Sequence, residues 1–257
     1  MLKKVLMEEM TGPEFQEALQ ETDTAILPLG STEALGNHGP LGADFLVASL
    51  VARRLGEEAQ CLVTPTVPVG DTLELSHLPG TLSVGFDTLK AFYLDLCSCL
   101  VRHGIKRIFV LNAHLGNMRA IDYCGRMLRR QGVAAAQADW WRVAFAAAAD
   151  LVESVHPYAH GGEVITSVLL ALRPELVDLS QAVDEESREE LAFHLQHTAT
   201  SGGPFYTYPD FRDFCAGGGW GEPRFASADK GRKIVERAVE RILGFLREFK
   251  GQPLPET

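Results

Sequence analysis

The chain has 257 residues, of which 24 are Lys or Arg and 34 are Asp or Glu, giving a formal net charge of −10. A hydrophobic fraction of 46% and a charged fraction of 23% are typical of globular proteins and exclude bulk disorder or a fibrous repeat. A membrane span needs about 18 or more consecutive apolar residues, and the sequence contains no such run. Since the negative charge repels phosphate and no basic stripe offsets it, neither nucleic acid nor a membrane is an expected partner.

The N-terminal segment and the cysteines both indicate a reducing compartment. Glu8 and Glu9 appear before any apolar stretch develops, so a secretory signal is not expected. The cysteines form no C-x-x-C pair, and Cys97 and Cys99 stand two positions apart on a predicted helix, which directs them to different faces. Free thiols are therefore favoured over disulfides or a thiolate metal site. These features predict a soluble, cytoplasmic protein.

Strand-like and helix-like runs alternate along the chain. A capping box at Thr11 and Glu14 starts the first predicted helix. The predicted elements are a helix over 13–19, a strand over 25–30, a helix over 43–58, a strand over 61–65, a helix over 87–102, a strand over 107–112, a helix over 118–130, a strand over 133–139, and helices over 163–172 and 227–248. This order predicts a single α/β domain over residues 1–257, with a mostly parallel central sheet, helices on both faces and an exposed tail from about residue 250. Residues 181–219 are more polar and have weaker periodicity.

Three predicted loops contain the unusual polar residues. They cover 30–44 and 112–117, each directly after a strand, and 156–167 before a helix. The residues in question are Glu33, His38, Asp44, His114, His160 and Glu163. In open parallel sheets, sites form at the carboxyl ends of strands, and carboxylates with imidazoles there suit a divalent cation such as Zn²⁺ or Mn²⁺.

Each of these residues taken alone also has an ordinary structural explanation. Glu33 or Asp44 would serve as a helix cap or a solvated loop charge, and His114 as a hydrogen-bonded structural histidine. Glu163 would follow a glycine turn and lie in the first turn of a helix, where the helix dipole stabilises a negative charge. A nucleotide-binding oxidoreductase has less support, because no G-x-G-x-x-G follows any strand.

The polar loops resemble the motifs of the creatininase (creatinine amidohydrolase) family. That family has a pattern close to LPxGSxEQHGPHLPLGTD after its first strand, NGHGGN after a central strand and HAGExETS before a helix. The corresponding stretches here, in the same order, are LPLGSTEALGNHGPLGAD, VLNAHLGN and HGGEVITS. Two more segments are similar to the family, HLPGTLSV over 77–84 and GEPRFASADKG near the C-terminus, so the resemblance covers roughly residues 20–245.

The resemblance implies a creatininase-like fold and metal-dependent hydrolysis of a C–N bond in a small amide or cyclic amide. It implies one or two divalent ions, Zn or Mn, per chain, and a homo-oligomer, which in the family is commonly a hexamer. The implied metal ligands are Glu33, Asp44, His114 and Glu163, the implied catalytic proton shuttle is His160, and the implied substrate-binding residues are Trp140, Trp141 and His77. The two tryptophans are equally well explained as ordinary core aromatics.

One position departs from the family pattern at a ligand. Leu35 stands where the family has the histidine of E-x-H, and a leucine side chain cannot bind a metal. Four outcomes are open: His38 replaces the missing ligand, one metal position is weak, the site holds a single metal, or activity has been lost. Ile165 replaces the second glutamate of HAGExE as well. The alternative to an enzyme is therefore a non-catalytic homologue that serves as a binding or structural protein.

Overall fold

Four parallel strands form the sheet at the centre of this computed structural model, which describes residues 1–183, 204–205, 207–208, 211–213, 215 and 217–256. The strands are β1 (Thr24–Leu29), β2 (Leu62–Val63), β3 (Arg107–Asn112) and β4 (Ala134–Asp139), in the order β2-β1-β3-β4. The central pair is in register from Thr24 opposite Arg107 to Leu29 opposite Asn112. Because β1 and β3 end at the same level, the polar loops that follow them emerge side by side.

Seven α-helices surround the sheet in the described part of the chain. They are α1 (Gly12–Glu21), α2 (Ala43–Ala59), α3 (Phe86–Arg102), α4 (Met118–Arg130), α5 (Trp140–Ala148), α6 (Glu163–Leu172) and α7 (Ala228–Gly251). None of them has both the length and the apolar character needed to cross a membrane. On α3, Cys97 is buried and Cys99 is exposed, as their spacing predicts.

Two apolar clusters, one on each face of the sheet, confirm the predicted layers. Ile26 of β1 and Phe109 of β3 belong to the cluster that includes residues of α2, α5, α6 and α7. Leu27 and Ile108, their neighbours in sequence, belong to the cluster that includes residues of α1, α3 and α4. This alternation follows from the two-residue period of a strand.

The sequence prediction failed at α5 and was inaccurate at two element ends. The α5 sequence WWRVAFAAA is apolar at nearly every position, so it shows little of the periodicity that marks an amphipathic helix. Strand β2 is shorter than predicted, and α7 continues to Gly251, which leaves only the residues after it as a tail. Most of the polar stretch over 181–219, for which no element was predicted, lies outside the described residues.

Helices α6 and α7 pack so closely that only glycine fits at one point of contact. A Cβ atom added to Gly231 would lie 1.8 Å from the carbonyl oxygen of Ser167. The Ser227 amide, at the N-cap of α7, donates a hydrogen bond of 3.1 Å to Ser167 Oγ. This contact fixes the two helix beginnings relative to each other, and α6 begins at the predicted ligand Glu163.

We expect Gly231→Ala to lower the free energy of unfolding by about 1–3 kcal/mol or more, because the methyl group must push the two helices apart. Gly244→Ala in the same helix is the matched control, since a Cβ there meets nothing within 4 Å. The control should raise the free energy of unfolding by about 0.5–1 kcal/mol. Denaturant unfolding measures both values, and equal effects of the two substitutions would contradict the packing described here.

Candidate metal centre and catalytic site

Four of the predicted site residues come together at the carboxyl end of the sheet. Glu33 lies in the loop after β1, and Asp44 lies in the first turn of α2. His114 follows β3, and His160 lies in the turn before α6. The arrangement follows from the register of β1 and β3, which delivers both loops to one edge.

Glu33, Asp44 and His114 form a compact group, in which Glu33 and His114 are buried and Asp44 is partly buried. His114 Nδ1 lies 3.1 Å from Asp44 Oδ2 and 3.2 Å from Glu33 Oε2. One ligand atom from each of the three residues lies within 4.8 Å of the others. Glu33 Oε2 is buried and receives no well-formed hydrogen bond. Since buried carboxylate oxygens are normally satisfied, this atom indicates that the group fits a cation.

Neighbouring polar groups orient these side chains. Ser31 Oγ donates a hydrogen bond of 2.9 Å to Asp44 Oδ2. His114 Nε2 lies 2.8 Å from the carbonyl oxygen of Asp71, and the His114 amide donates to Asn112 Oδ1 at 3.1 Å. Because a carbonyl oxygen can only accept, Nε2 carries a hydrogen and Nδ1 is the ring atom presented to the carboxylates. Such outer contacts are what fix the orientation of a metal-binding imidazole.

His160 contacts an acceptor with each of its ring nitrogens. Nδ1 lies 2.6 Å from the carbonyl oxygen of Gly218, and Nε2 lies 3.0 Å from Glu33 Oε1. Both nitrogens therefore donate, which makes this ring an imidazolium. Burial lowers the pKa of His160, but the carboxylates of Glu33 and Asp44 outweigh it and raise the pKa above its ordinary value.

The carboxylates and His114 shift one another's pKa values. Burial lowers the pKa of His114, but Glu33 and Asp44 raise it well above its usual range. Burial raises the pKa of Glu33, yet the two histidines hold it below its usual range. The pKa of Asp44 is raised by burial and then by the charge of Glu33. The Nδ1–H group of His114 thus faces both carboxylates. A divalent cation bound between these residues would compensate the same negative charges.

Glu163, the fourth predicted ligand, does not join this group. Its carboxylate is 1% exposed and accepts a hydrogen bond of 2.6 Å from Lys230 Nζ. It also accepts from the amides of Glu153 and Ser154, at 3.0 and 2.8 Å, and from Ser154 Oγ at 2.6 Å. Burial raises the pKa of Glu163, but Lys230 and Ser154 lower it below its ordinary value. Glu163 therefore ties the loop before His160 to the start of α7.

His38, the predicted substitute ligand, also lies outside the group. It is 4% exposed, and its Nε2 lies 3.0 Å from Thr166 Oγ1. The Thr166 hydroxyl donates to the carbonyl oxygen of Gly161 at 3.0 Å, so it accepts the hydrogen of His38 Nε2. Burial lowers the pKa of His38, which keeps the ring neutral.

The three predicted substrate contacts lie in different settings. Trp140 is 1% exposed and belongs to the apolar core, so it is a core aromatic and not a wall of the site. Trp141 is half-buried on α5, and His77 is exposed. The segment after His77 lies near the site, since a Cβ on Gly218 would lie 2.6 Å from Leu78 Cδ1. Substrate contact by Trp141 and His77 stays a prediction.

Sequence reasoning missed several residues that complete the site. The Phe211 ring packs edge-on against His160 with centroids 5.2 Å apart. Ser31 and Lys230 were not singled out, although both lie in stretches that carry the family resemblance. Asp71 acts through its backbone carbonyl, which leaves no signal in the identity of the side chain.

Comparison with known proteins identifies the family. A model of the family "Creatininase: Creatinine amidohydrolase" matches residues 8–246. The chain belongs to the creatininase family. The creatinine amidohydrolase of Pseudomonas putida is 29% identical over 269 residues, covering 96% of this creatininase-family chain and 98% of that protein.

Two further matches support this assignment. A mycofactocin precursor peptide peptidase of Mycobacterium ulcerans is 31% identical over 237 residues, covering 89% of this chain and 86% of the peptidase. A solved structure described as creatininase Mn has a TM-score of 0.80 at 29% identity, covering 97% of this chain and 100% of that one. The predicted family and fold are thus confirmed. Creatininase-family homologues are hydrolases acting on C–N bonds, so the non-catalytic alternative finds no support among them.

We expect Lys230→Met to lower the free energy of unfolding by about 3 kcal/mol, because it leaves the Glu163 carboxylate buried without its cation. Lys3→Met is the matched control, since Lys3 pairs with Glu17 on the surface with side chains 89% and 69% exposed. The control should leave stability nearly unchanged. Denaturant unfolding of both variants checks this expectation, and similar values would show that the buried pair contributes nothing.

We also expect divalent metal binding to release about one proton at neutral pH, because the metal must replace the Nδ1 proton of His114. The raised pKa of His114 sets the sign: affinity should fall as the pH falls below that pKa, by about tenfold per unit for one proton. Calorimetric titration with Zn²⁺ in buffers of different ionisation enthalpy counts the protons. Binding without proton release would contradict coordination by His114.

Proposed function

We propose that this protein is a metal-dependent amidohydrolase that cleaves a non-peptide C–N bond in a small amide or cyclic amide. One observation carries the proposal: three ligand-type side chains converge beside a histidine that donates from both ring nitrogens. The group of Glu33, Asp44 and His114 spans 4.8 Å, and His160 Nε2 lies 3.0 Å from Glu33. The relatives support the same class, since they are hydrolases acting on C–N bonds.

Glu33, Asp44 and His114 would hold the divalent ion, which we propose to be Zn²⁺ or Mn²⁺. When bound, such an ion supplies a lowered pKa for its water and polarises a substrate carbonyl. Ser31 and the Asp71 carbonyl keep Asp44 and His114 oriented, so the ligands need little rearrangement. With side chains only 5% to 12% exposed, the group also excludes most competing solvent.

His160 would act as the general acid. An amide nitrogen leaves poorly unless it is protonated as the C–N bond breaks. His160 can give up the proton on Nε2, while the Nδ1–H bond to the carbonyl oxygen of Gly218 keeps the ring in place. The edge-on contact with Phe211 restricts the ring further. After transfer the imidazole is neutral and still anchored, ready to take up another proton.

We expect Asp44→Asn and His160→Asn to lower activity in different ways. Asp44→Asn should lose the metal, whereas His160→Asn should keep it and lower kcat by about 100-fold or more, since a general acid contributes about that much. His103→Asn is the matched control, because His103 is exposed at the far end of α3. Metal content and steady-state kinetics check both variants. Retained kcat in His160→Asn would rule out the role proposed for that ring.

The substrate class is tested with a panel of creatinine, other cyclic amides, formamides and short peptides, using protein loaded with Zn²⁺ or Mn²⁺. We expect hydrolysis of at least one small amide or cyclic amide. Hydrolysis of peptides alone would move the activity toward that of the peptidase relative. Hydrolysis of nothing, together with no metal binding, would contradict the proposed function.

A further inference from the structure

We propose that this site holds one metal ion per chain, and that the His160 ring takes the place beside Glu33 that a second ion would otherwise need. The inference rests on the proposed function and specifies its metal content. Ligands for a second ion would have to come from the positions around Glu33, Asp44 and His114.

Position 35 in the loop after Glu33 offers no ligand. Leu35, two residues on, is 2% exposed and packs in the main apolar cluster. A side chain at position 39 would have to displace it, since a Cβ on Gly39 would lie 2.8 Å from Leu35 Cδ2 and 3.1 Å from the Leu35 carbonyl oxygen. This stretch of the loop is therefore built as part of the core.

The loop after His114 cannot present a ligand at its next turn either. A Cβ on Gly116 would lie 1.9 Å from the carbonyl oxygen of Asp71 and 2.8 Å from His114 Nε2. That carbonyl is the acceptor that orients His114. Any side chain at position 116 would thus displace the group that holds the existing ligand in place.

The two remaining candidates are bound elsewhere. His38 donates from Nε2 to Thr166, and Glu163 accepts from Lys230, Ser154 and a backbone amide. To reach the metal centre, either side chain would have to leave a buried and satisfied position. Among the residues that the structure describes, the group that could hold an ion contains three side chains and no more.

The second oxygen of Glu33 already has a partner. His160 Nε2 lies 3.0 Å from Glu33 Oε1, while Oε2 faces His114. A carboxylate that bridges two ions through both of its oxygens offers one oxygen to each. Here one oxygen faces the predicted metal position, and the other receives an N–H from a ring anchored on Gly218. The geometry therefore provides for one ion and one imidazole.

Metal counting tests the inference. The purified protein is stripped with a chelator, titrated with Mn²⁺ or Zn²⁺ by calorimetry, and dialysed for elemental analysis. We expect one ion per chain in the unmodified protein, in His38→Ala and in Glu163→Gln, and none in Asp44→Asn. The electron paramagnetic resonance spectrum of the Mn²⁺-loaded protein should be that of an isolated ion, because ions about 3.5–4 Å apart would couple.

The outcomes separate the inference from the proposed function. Two ions per chain, or a coupled Mn²⁺ spectrum, would overturn the single-ion inference and leave metal-dependent hydrolysis standing. If the second ion disappeared in His38→Ala or in Glu163→Gln, the lost ligand would be identified directly. No bound ion at any concentration would overturn the inference and the metal dependence of the proposed function together.

Discussion

The site depends on how two buried carboxylates share one imidazole. Burying Glu33 and Asp44 next to each other costs free energy, because both carboxylates lose hydration and their charges repel. His114 offsets that cost at 3.1 and 3.2 Å, and its own ring is held from behind by the Asp71 carbonyl. A divalent cation in place of the Nδ1 proton of His114 would compensate the two carboxylates with more positive charge. The chemistry and the stability of this region therefore have the same origin.

The rest of the fold positions Glu33, Asp44 and His114 at the carboxyl end of the sheet. The register of β1 with β3 sends two loops to the same edge of the sheet, and α2 begins there with Asp44. The third contribution comes from the turn that bears His160, fixed through Glu163, Lys230 and the close contact of α6 with α7. The buried ion pair of Glu163 and Lys230 thus has a structural role next to the candidate metal centre. It holds the turn that bears His160 without joining the group of Glu33, Asp44 and His114.

Much of this could be predicted from the sequence, because the strongest signals are local. The β–α alternation, the strand over 107–112 and the helices over 118–130 and 163–172 all depend on short-range patterns that tertiary packing did not override. Glu33, Asp44, His114 and His160 were found because their loops follow strands or precede a helix in a recognisable motif. Their convergence follows from the parallel sheet.

Three features of the site left no local signal in the sequence. Glu163 has the right residue type in the right motif, but its partner Lys230 lies 67 positions further along the chain, a distance over which no local pattern operates. Trp140 was ambiguous because a tryptophan after a strand suits a core and a pocket equally well. The hydrogen bond from His114 to Asp71 is accepted by a backbone carbonyl oxygen, so no side-chain motif could predict it.

Gly116 has a consequence for how this site could change during evolution. A point mutation that introduced a carboxylate or an imidazole there would bring a donor close to His114, but its Cβ would collide with the Asp71 carbonyl at 1.9 Å. The same mutation would therefore disturb the hydrogen bond that orients His114. A lineage that adds a donor at this position must first move the chain around residue 71. The order in which such mutations can accumulate is therefore constrained by the close approach of residues 71 and 116.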